Sequence, residues 1–257
     1  MTRPAESAPR RAGSPWLIAR KRIEGTPARL YFFPHSGGSP GEYLRWAEQL
    51  PEVEIWGVQA PGRGSRIVEE PLTGMAELVE GLVSAAEFGE PAVFFGHSLG
   101  ALVAFETARA LRAAGLPGPS ALVVSACPAP DRRRARTTVH DLPDDELLAV
   151  VHERYGGLPP EITADPALLE LIMPYYRADF TVYETYRYEP GEPLDVPLHV
   201  VGGEQDIPAD LLAAWAGHTT GESSLTLLPG GHFYFRDPAQ HARLVRLLTE
   251  VTAAARN

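Results

Sequence analysis

Phe94-Phe95-Gly96-His97-Ser98-Leu99-Gly100 is the stretch of sequence that decides the fold. It belongs to an apolar run that begins at Ala92 and predicts a buried strand, and a helical pattern follows over residues 101–114. A serine at the tip of a strained strand-to-helix turn needs neighbours without Cβ, because strand and helix approach closely there. The start of the helix also directs backbone N–H groups towards any anion that forms beside Ser98.

The order of strand, Gly-x-Ser-x-Gly turn and helix is that of the nucleophile elbow of α/β-hydrolases. The turn alone is a weak signal, because glycine-rich turns are common, and an ordinary strand-to-helix turn is the alternative interpretation. The strand before the turn and the helix after it strengthen the first interpretation. Ser98 is therefore the predicted nucleophile.

Short apolar runs alternate with helical patterns along much of the chain. The predicted strands are 28–33, 54–58, 92–95, 121–125, 198–201 and 224–228, and the predicted helices outside the region 128–193 are 41–49, 74–86, 101–114, 209–217 and 238–255. This alternation predicts an α/β fold, with a mostly parallel sheet between two layers of helices. We predict one α/β-hydrolase domain over residues 16–257, preceded by a disordered leader over residues 1–15.

The region 128–193 interrupts this alternation and contains no convincing strand. It predicts two amphipathic helices, 144–155 and 166–187, and Tyr176, Phe180 and Tyr183 share one face of the second. We interpret the insertion as a helical lid whose apolar side lines a substrate channel. A helical hairpin that packs only for stability is the alternative.

Composition restricts the possible classes of protein. The 257 residues carry a net charge of −10, which argues against nucleic acid as a partner. No apolar run approaches the length of a membrane span, and the first residues lack the apolar segment of a secretory signal. The single cysteine, Cys127, suits a reducing compartment and is predicted to be a small buried residue. We expect a cytoplasmic monomer that needs no cofactor or metal.

A serine hydroxyl becomes nucleophilic when a base takes its proton, and an acid must orient that base. In this fold the acid and then the histidine follow the serine along the chain. His232 is the predicted base, because it follows the last predicted strand in Pro229-Gly230-Gly231-His232-Phe233, where glycines let the loop place the imidazole over Ser98. A structural turn histidine is the alternative.

The choice of the acid is less direct. Asp206 is the predicted acid, because it follows strand 198–201 in a glycine-led loop at the edge of the sheet where active sites lie. Glu204 in the same loop is a second candidate. In some relatives the acid follows the strand after the nucleophile strand, and Asp131 is the first acid found there.

An oxyanion hole requires two N–H donors. The backbone N–H of Leu99, directly after the nucleophile, is one predicted donor. The loop Pro34-His35-Ser36-Gly37-Gly38 after an early strand would supply the other, from Ser36 N–H or alternatively from Gly37 N–H. A plain glycine turn is the other interpretation of this loop, which His35 could orient.

Taken together, the segments 33–38, 59–63, 96–100, 177–180, 202–206 and 230–233 resemble those of type II thioesterases. These are freestanding hydrolases that accompany polyketide and nonribosomal peptide synthases. The resemblance implies a substrate held as a thioester on the phosphopantetheine arm of an acyl or peptidyl carrier protein. It also implies removal of stalled or wrongly loaded acyl groups through an acyl-Ser98 intermediate. A carboxylesterase or acyltransferase of the same fold, and a binding module without activity, are the alternatives.

Two further features concern arginines. Arg132-Arg133-Arg134 and Arg136 form a basic run that could contact an acidic carrier protein or the pantetheine phosphate, and a solvated surface loop is the alternative. Arg63 could brace a loop near the site, and a structural role is the alternative, which we favour.

Overall fold

The centre of the structure is a seven-stranded sheet. The structure, a computed structural model, describes residues 14–20, 23, 25, 28–133, 138–156 and 158–256. The strands are β1 (Leu17–Ala19), β2 (Arg29–Phe33), β3 (Glu54–Val58), β4 (Ala92–His97), β5 (Ala121–Ser125), β6 (Leu198–Gly203) and β7 (Ser223–Leu228). Their order is β1-β3-β2-β4-β5-β6-β7, and every neighbouring pair is parallel except β1 with β3.

Helices cover both faces of this sheet. They are α1 (Pro40–Leu44), α2 (Met75–Ala85), α3 (Leu99–Ala113), α4 (Asp144–Tyr155), α5 (Pro160–Thr163), α6 (Pro166–Thr185), α7 (Ala209–Ala213) and α8 (Pro238–Ala254). Short 3-10 turns follow α1 at Arg45–Glu48 and α7 at Ala214–His218. None of the helices in the described ranges is long and apolar enough to cross a membrane.

The side chains of β4 show how the sheet is buried on both faces. Phe94 packs in the cluster that contains α2, α3 and α7, whereas Phe95 packs in the cluster that contains α1 and α8. Successive strand residues point to opposite faces, so a strand covered on both sides must be apolar throughout. This is the physical reason why β4 is a continuous apolar run rather than an alternating one.

The predicted α/β class and its mostly parallel sheet are confirmed. All six predicted strands are present, with ends that differ by at most two residues, and the sequence analysis missed only β1 among the strands described. With three residues, β1 is too short to show an alternating pattern, and its pairing with β3 is a tertiary contact. Residues 1–13, which make up most of the predicted leader, lie outside the described residues.

Three helices, α4, α5 and α6, connect β5 to β6 and are called the inserted helices below. The structure contains both helices predicted in this region, the second ending at Thr185 rather than at residue 187, and it adds the short α5. The inserted helices share an apolar cluster of their own. Its buried members are Val139, Leu147, Val151, Met173, Tyr176 and Phe180.

The turn between β4 and α3 is as tight as the glycines predict. Ser98 has φ 55° and ψ −119°, a left-handed backbone that a non-glycine residue rarely adopts. A Cβ on Gly96 would lie 2.1 Å from the carbonyl oxygen of Gly100. A Cβ on Gly100 would lie 1.9 Å from the carbonyl oxygen of Phe33 in β2. The two glycines therefore let α3 start directly against β4 and β2.

Replacing Gly100 should expose this constraint. We expect Gly100→Ala to lower the free energy of unfolding by about 3 kcal/mol or more, because the new Cβ meets backbone that must move. Gly217→Ala is the matched control, since a Cβ at Gly217 meets no atom within 4 Å. Urea unfolding of both variants measures the difference, and equal stability of the two would contradict the close approach.

Candidate active site

Three loops at the carboxyl edge of the sheet carry the predicted nucleophile, acid and base. Ser98 follows β4 directly, and its backbone N–H donates to the carbonyl of Ser125 at the end of β5, at 2.8 Å. Asp206 follows β6, and His232 follows β7. Neighbouring parallel strands end at the same edge, so residues from distant parts of the sequence meet there.

His232 and Asp206 form a hydrogen-bonded pair. The Nδ1–H of His232 donates to Asp206 Oδ2 at 2.8 Å, and the side chains are only 7% and 11% exposed. A carboxylate at Nδ1 favours the tautomer whose proton is on that nitrogen. Nε2 is then the acceptor nitrogen, as a general base requires. Ser98 and His232 line the same cavity.

The structure also shows where the other candidate acids lie. Glu204 is exposed to solvent and makes no ion pair with a described histidine. Asp131 Oδ1 instead accepts a hydrogen bond from His218 Nε2 at 2.9 Å. Of the three acids considered, Asp206 is the one that the fold brings to His232.

One predicted oxyanion donor directly follows the nucleophile in the chain, and the residue of the other lines the same cavity. Leu99 is the first residue of α3, where a backbone N–H has no acceptor within its own helix. Ser36 lines the cavity together with Ser98, and no described residue accepts a hydrogen bond from its N–H. The alternative donor, Gly37 N–H, donates to Asp179 Oδ2 at 2.7 Å and is therefore engaged elsewhere.

A buried ion pair lies behind this loop. Arg63 donates two hydrogen bonds to Asp179 on α6, at 2.6 and 2.8 Å, and a third to the carbonyl of Gly38 at 3.0 Å. Both charged side chains are almost fully buried. The interpretation of Arg63 as a residue that could brace a nearby loop stays a prediction, and the sequence analysis missed its partner. Arg63 and Asp179 are 116 positions apart, and no local pattern connects them.

Two further histidines lie close to His232. The ring of His97 is 5.0 Å from that of His232 and 5.9 Å from that of His35. Burial lowers the pKa of His35 to about 3, with a smaller effect of the positive charge of Arg236. Burial likewise lowers the pKa of His97 well below its ordinary value. Both rings are thus neutral near pH 7 and add no positive charge beside the candidate base.

Each of these neutral rings has a fixed hydrogen-bond partner. His35 Nδ1 shares a hydrogen bond with the hydroxyl of Tyr43 at 2.8 Å. His97 Nδ1 shares one with Ser125 Oγ at 2.9 Å, and that hydroxyl is 2.8 Å from the hydroxyl of Tyr234. These contacts fix the orientation of the two imidazoles.

A cavity of about 170 Å³ opens beside Ser98. One wall is the loop after β2, and another comes from the inserted helices and the loop between α4 and α5. The side chains of this second wall include the three residues predicted to line a channel, Tyr176, Phe180 and Tyr183, and in addition Val151, Tyr155, Leu158 and Ile162. The wall is mainly apolar and aromatic, which suits a hydrocarbon chain.

A second cavity, of about 550 Å³, is lined by Asp206 and His232 together with residues of the loops that follow β5 and β6. Tyr155, Phe180 and Tyr183 line both cavities. The ring of Tyr155 lies 4.7 Å from that of His232, and the sequence analysis did not single it out. The helical pattern of α4 ends at Tyr155, but nothing in the sequence shows that this end of the helix reaches the histidine.

The described arginines of the basic run 132–136 have different partners. Arg132 is exposed and pairs with Asp131 at 3.1 Å. Arg133 instead donates hydrogen bonds to the carbonyl of Tyr183 on α6 and to that of Tyr186, which directly follows α6. Arg134 and Arg136 lie outside the described residues. Arg133 therefore contacts the inserted helices, and contact of this run with a partner stays a prediction.

The only cysteine of the chain is not a competing nucleophile. Cys127 is buried, and burial raises the pKa of its thiol to about 12. The thiolate is the reactive form of cysteine, so this side chain is inert near pH 7.

Several known proteins are similar to this chain. A family model described as a thioesterase domain matches residues 28–251. Thioesterase PikA5 of Streptomyces venezuelae is 39% identical over 229 residues, which cover 86% of this chain and 80% of that protein. Gramicidin S biosynthesis protein GrsT of Aneurinibacillus migulanus is 32% identical over 224 residues, which cover 85% and 87%. The solved structure of the type II thioesterase BorB from the borrelidin biosynthetic cluster has a TM-score of 0.80 at 35% identity, covering 91% of this chain and 95% of that one.

The arrangement predicts how Ser98 reacts with a fluorophosphonate probe. We expect His232→Ala and Asp206→Asn to slow labelling of Ser98 by about 100-fold or more, because the base is lost in one and wrongly oriented in the other. Asp131→Asn is the matched control, since it disturbs the pair with His218 instead. Mass spectrometry gives the labelling rates. An Asp131→Asn rate as low as that of Asp206→Asn would contradict the assignment of the acid.

The buried imidazoles also predict how stability depends on pH. The pKa of His35 is lower in the folded chain than the ordinary value of 6.5, so the unfolded chain binds more protons below about pH 6.5. The stability that a neutral His35 contributes is therefore present at high pH and is lost as the pH falls towards 3. Between pH 8 and pH 5 the loss is about 2 kcal/mol. Urea unfolding at both pH values measures this loss of stability, and we expect it to be smaller in His35→Gln than in the wild type. An equal loss in the two proteins would contradict this prediction.

Proposed function

Because the chain belongs to the thioesterase family, we propose that Ser98, His232 and Asp206 are the residues with which it hydrolyses acyl thioesters. The observation that carries this proposal is the hydrogen bond between His232 and Asp206 beside the cavity that Ser98 lines. A histidine bonded to a carboxylate, at the same edge of the sheet as the serine of the elbow, supports the proposed roles of base, orienting acid and nucleophile.

The first half of the reaction forms an acyl-enzyme. Ser98 Oγ attacks the carbonyl carbon of the thioester while His232 Nε2 takes the hydroxyl proton. The negative charge that develops on the carbonyl oxygen is stabilised by the N–H groups of Ser36 and Leu99. Asp206 stabilises the imidazolium and keeps its orientation. The C–S bond then breaks, and the thiol leaves with the proton from His232.

The second half restores the enzyme. A water molecule attacks the acyl-Ser98 ester, and His232 takes a proton from it. The same two N–H groups stabilise the second oxyanion. When the C–O bond to the serine breaks, Ser98 recovers its proton from His232 and the carboxylic acid is released. The neutral states of His35 and His97 leave His232 as the proton carrier among the three neighbouring imidazoles.

The inserted helices act in this proposal as a lid over the acyl group. They supply the apolar wall of the 170 Å³ cavity, which Phe180 and Tyr176 line together with Ser98. An acyl chain attached to Ser98 would remove this apolar surface from water, which favours binding. The lid accordingly has a role in substrate binding as well as in stability.

The acyl group is carried to this site on the phosphopantetheine arm of a carrier protein. This part of the proposal is supported by the likeness to a type II thioesterase of a biosynthetic cluster. The removal of stalled or wrongly loaded acyl groups follows from the same likeness. We further propose that the protein acts in the cytoplasm as a monomer. We also propose that it binds neither nucleic acid nor membrane, which its net charge of −10 supports.

Hydrolysis of a short acyl panel tests the proposal. Each acyl group would be presented on a carrier protein, on a small pantetheine-like thiol, and as the matched oxoester. We expect thioesters to be preferred to oxoesters. We also expect kcat/KM to be at least about tenfold higher for acyl groups on the carrier protein than for those on the small thiol, because contacts with the carrier add binding energy. Liberated thiol and acid are measured by absorbance and mass spectrometry.

Ser98→Ala is the control for this panel and should abolish turnover of all three forms. Rapid oxoester cleavage without a preference for thioesters would contradict the proposed substrate class and favour a general esterase. Equal kcat/KM on the carrier and on the small thiol would contradict recognition of the carrier protein.

A further inference from the structure

We propose that Arg63 and Asp179 form a positioning pair that holds the Ser36 N–H in the oxyanion hole. This inference rests on the proposed function, because it concerns the geometry in which Ser98 reacts. Neither side chain lines the cavity beside Ser98, so the pair acts through the loop His35-Ser36-Gly37-Gly38, called the oxyanion loop below.

The pair binds two polar backbone groups of the oxyanion loop. Asp179 accepts a hydrogen bond from Gly37 N–H at 2.7 Å, and Arg63 donates one to the carbonyl of Gly38 at 3.0 Å. The same Arg63 nitrogen that binds Gly38 also binds Asp179 at 2.8 Å. The two charged side chains and the two glycines therefore form one network of four residues, in which moving either charged side chain moves the loop.

The loop has little freedom to adjust by itself. Gly37 has φ 74°, and a Cβ on it would lie 2.1 Å from the ring of Tyr176, one turn before Asp179 on α6. On the other side the loop is closed by the N–H of Gly38, which donates to the carbonyl of His35 at 2.8 Å. Gly37 N–H belongs to the peptide that follows Ser36, so its direction and that of Ser36 N–H are coupled.

The energetics favour position rather than stability as the role of this pair. Burial of two charges costs several kcal/mol, which their mutual attraction only offsets when geometry and hydrogen bonding are good. Asp179 accepts three hydrogen bonds, but Arg63 Nε is buried without a partner among the described residues. An apolar pair of similar volume would avoid the cost of burying the two charges. What an apolar pair lacks is the ability to bind Gly37 N–H and Gly38 C=O.

Loss of this positioning should affect the chemical step rather than substrate binding. An oxyanion donor acts on charge that is present only in the transition state, so its displacement lowers kcat and leaves KM nearly unchanged. A displacement of about 1 Å can cost about 100-fold in rate. We therefore expect a loss of kcat of about 10- to 100-fold when the pair is removed and the fold is kept.

The test compares three variants of the full chain. Asp179→Asn keeps the side-chain shape but leaves Arg63 as an unpaired buried charge. The double variant Arg63→Met/Asp179→Leu removes both charges at similar volume and keeps the test valid if the single variant does not fold. Arg66→Met is the matched control, because Arg66 is also buried, pairs with Glu69 and lies over an aromatic ring, that of Trp16, yet does not touch the oxyanion loop.

Three measurements are made on each variant. They are kcat and KM for a small thioester, the inhibition constant of a trifluoromethyl ketone whose adduct with Ser98 carries an oxyanion, and the stability in urea. For the double variant we expect kcat to fall about 10- to 100-fold with KM within about threefold, and the inhibition constant to rise by the same factor as kcat/KM falls. Arg66→Met should lose stability and keep kcat.

Unchanged kcat in the folded double variant would overturn the inference, and so would an equal loss of kcat in Arg66→Met. Failure of the proposed function gives a different result, namely a wild-type protein that does not hydrolyse thioesters. In that case the rate of fluorophosphonate labelling of Ser98 replaces kcat, because that reaction also places an oxyanion in the hole. A labelling rate that is reduced in the double variant but not in Arg66→Met supports the positioning role of the pair. Equal rates in the wild type, the double variant and Arg66→Met reject it.

Discussion

The contact between Gly100 and the backbone of β2 is the constraint on which the rest of the site depends. Without a side chain at Gly100, α3 starts directly against the carbonyl of Phe33, and Ser98 is held at φ 55° between strand and helix. The oxyanion loop begins two residues after Phe33. One close backbone approach therefore determines the distance from the nucleophile to both predicted oxyanion donors, the N–H of Leu99 at the helix start and that of Ser36 in the loop.

The histidines near this elbow differ in their burial and in their hydrogen-bond partners, and these differences determine which of them can act as the base. His232 binds Asp206 and faces the cavity, whereas His218 binds Asp131 away from it. His97 is even closer to the elbow in sequence, yet its burial keeps it neutral and its Nδ1 is engaged with Ser125. A histidine can serve as the base here only where one nitrogen faces an acid and the other side of the ring faces the cavity.

The inserted helices join two functions that are usually considered separately. Through Phe180 and Tyr176 they form the apolar wall of the cavity, and through Asp179 they bind the backbone of the oxyanion loop. Because these residues lie within about one turn of one another on α6, a change in the position of that helix alters the cavity wall and the loop together. In the proposed mechanism, substrate binding and oxyanion geometry are thus coupled within one helix.

The sequence alone determined the α/β class, the elbow at Ser98 and the helical nature of the insertion, because strand, turn and helix are local patterns of a few residues. The same patterns missed β1, which is three residues long and defined by its pairing. Only the tertiary structure decided that Asp206 rather than Asp131 meets His232, and that Asp179 engages Gly37 N–H across 142 positions of sequence. These outcomes depend on distances between side chains on different elements, which follow from the packing of the sheet and are not encoded in any local spacing.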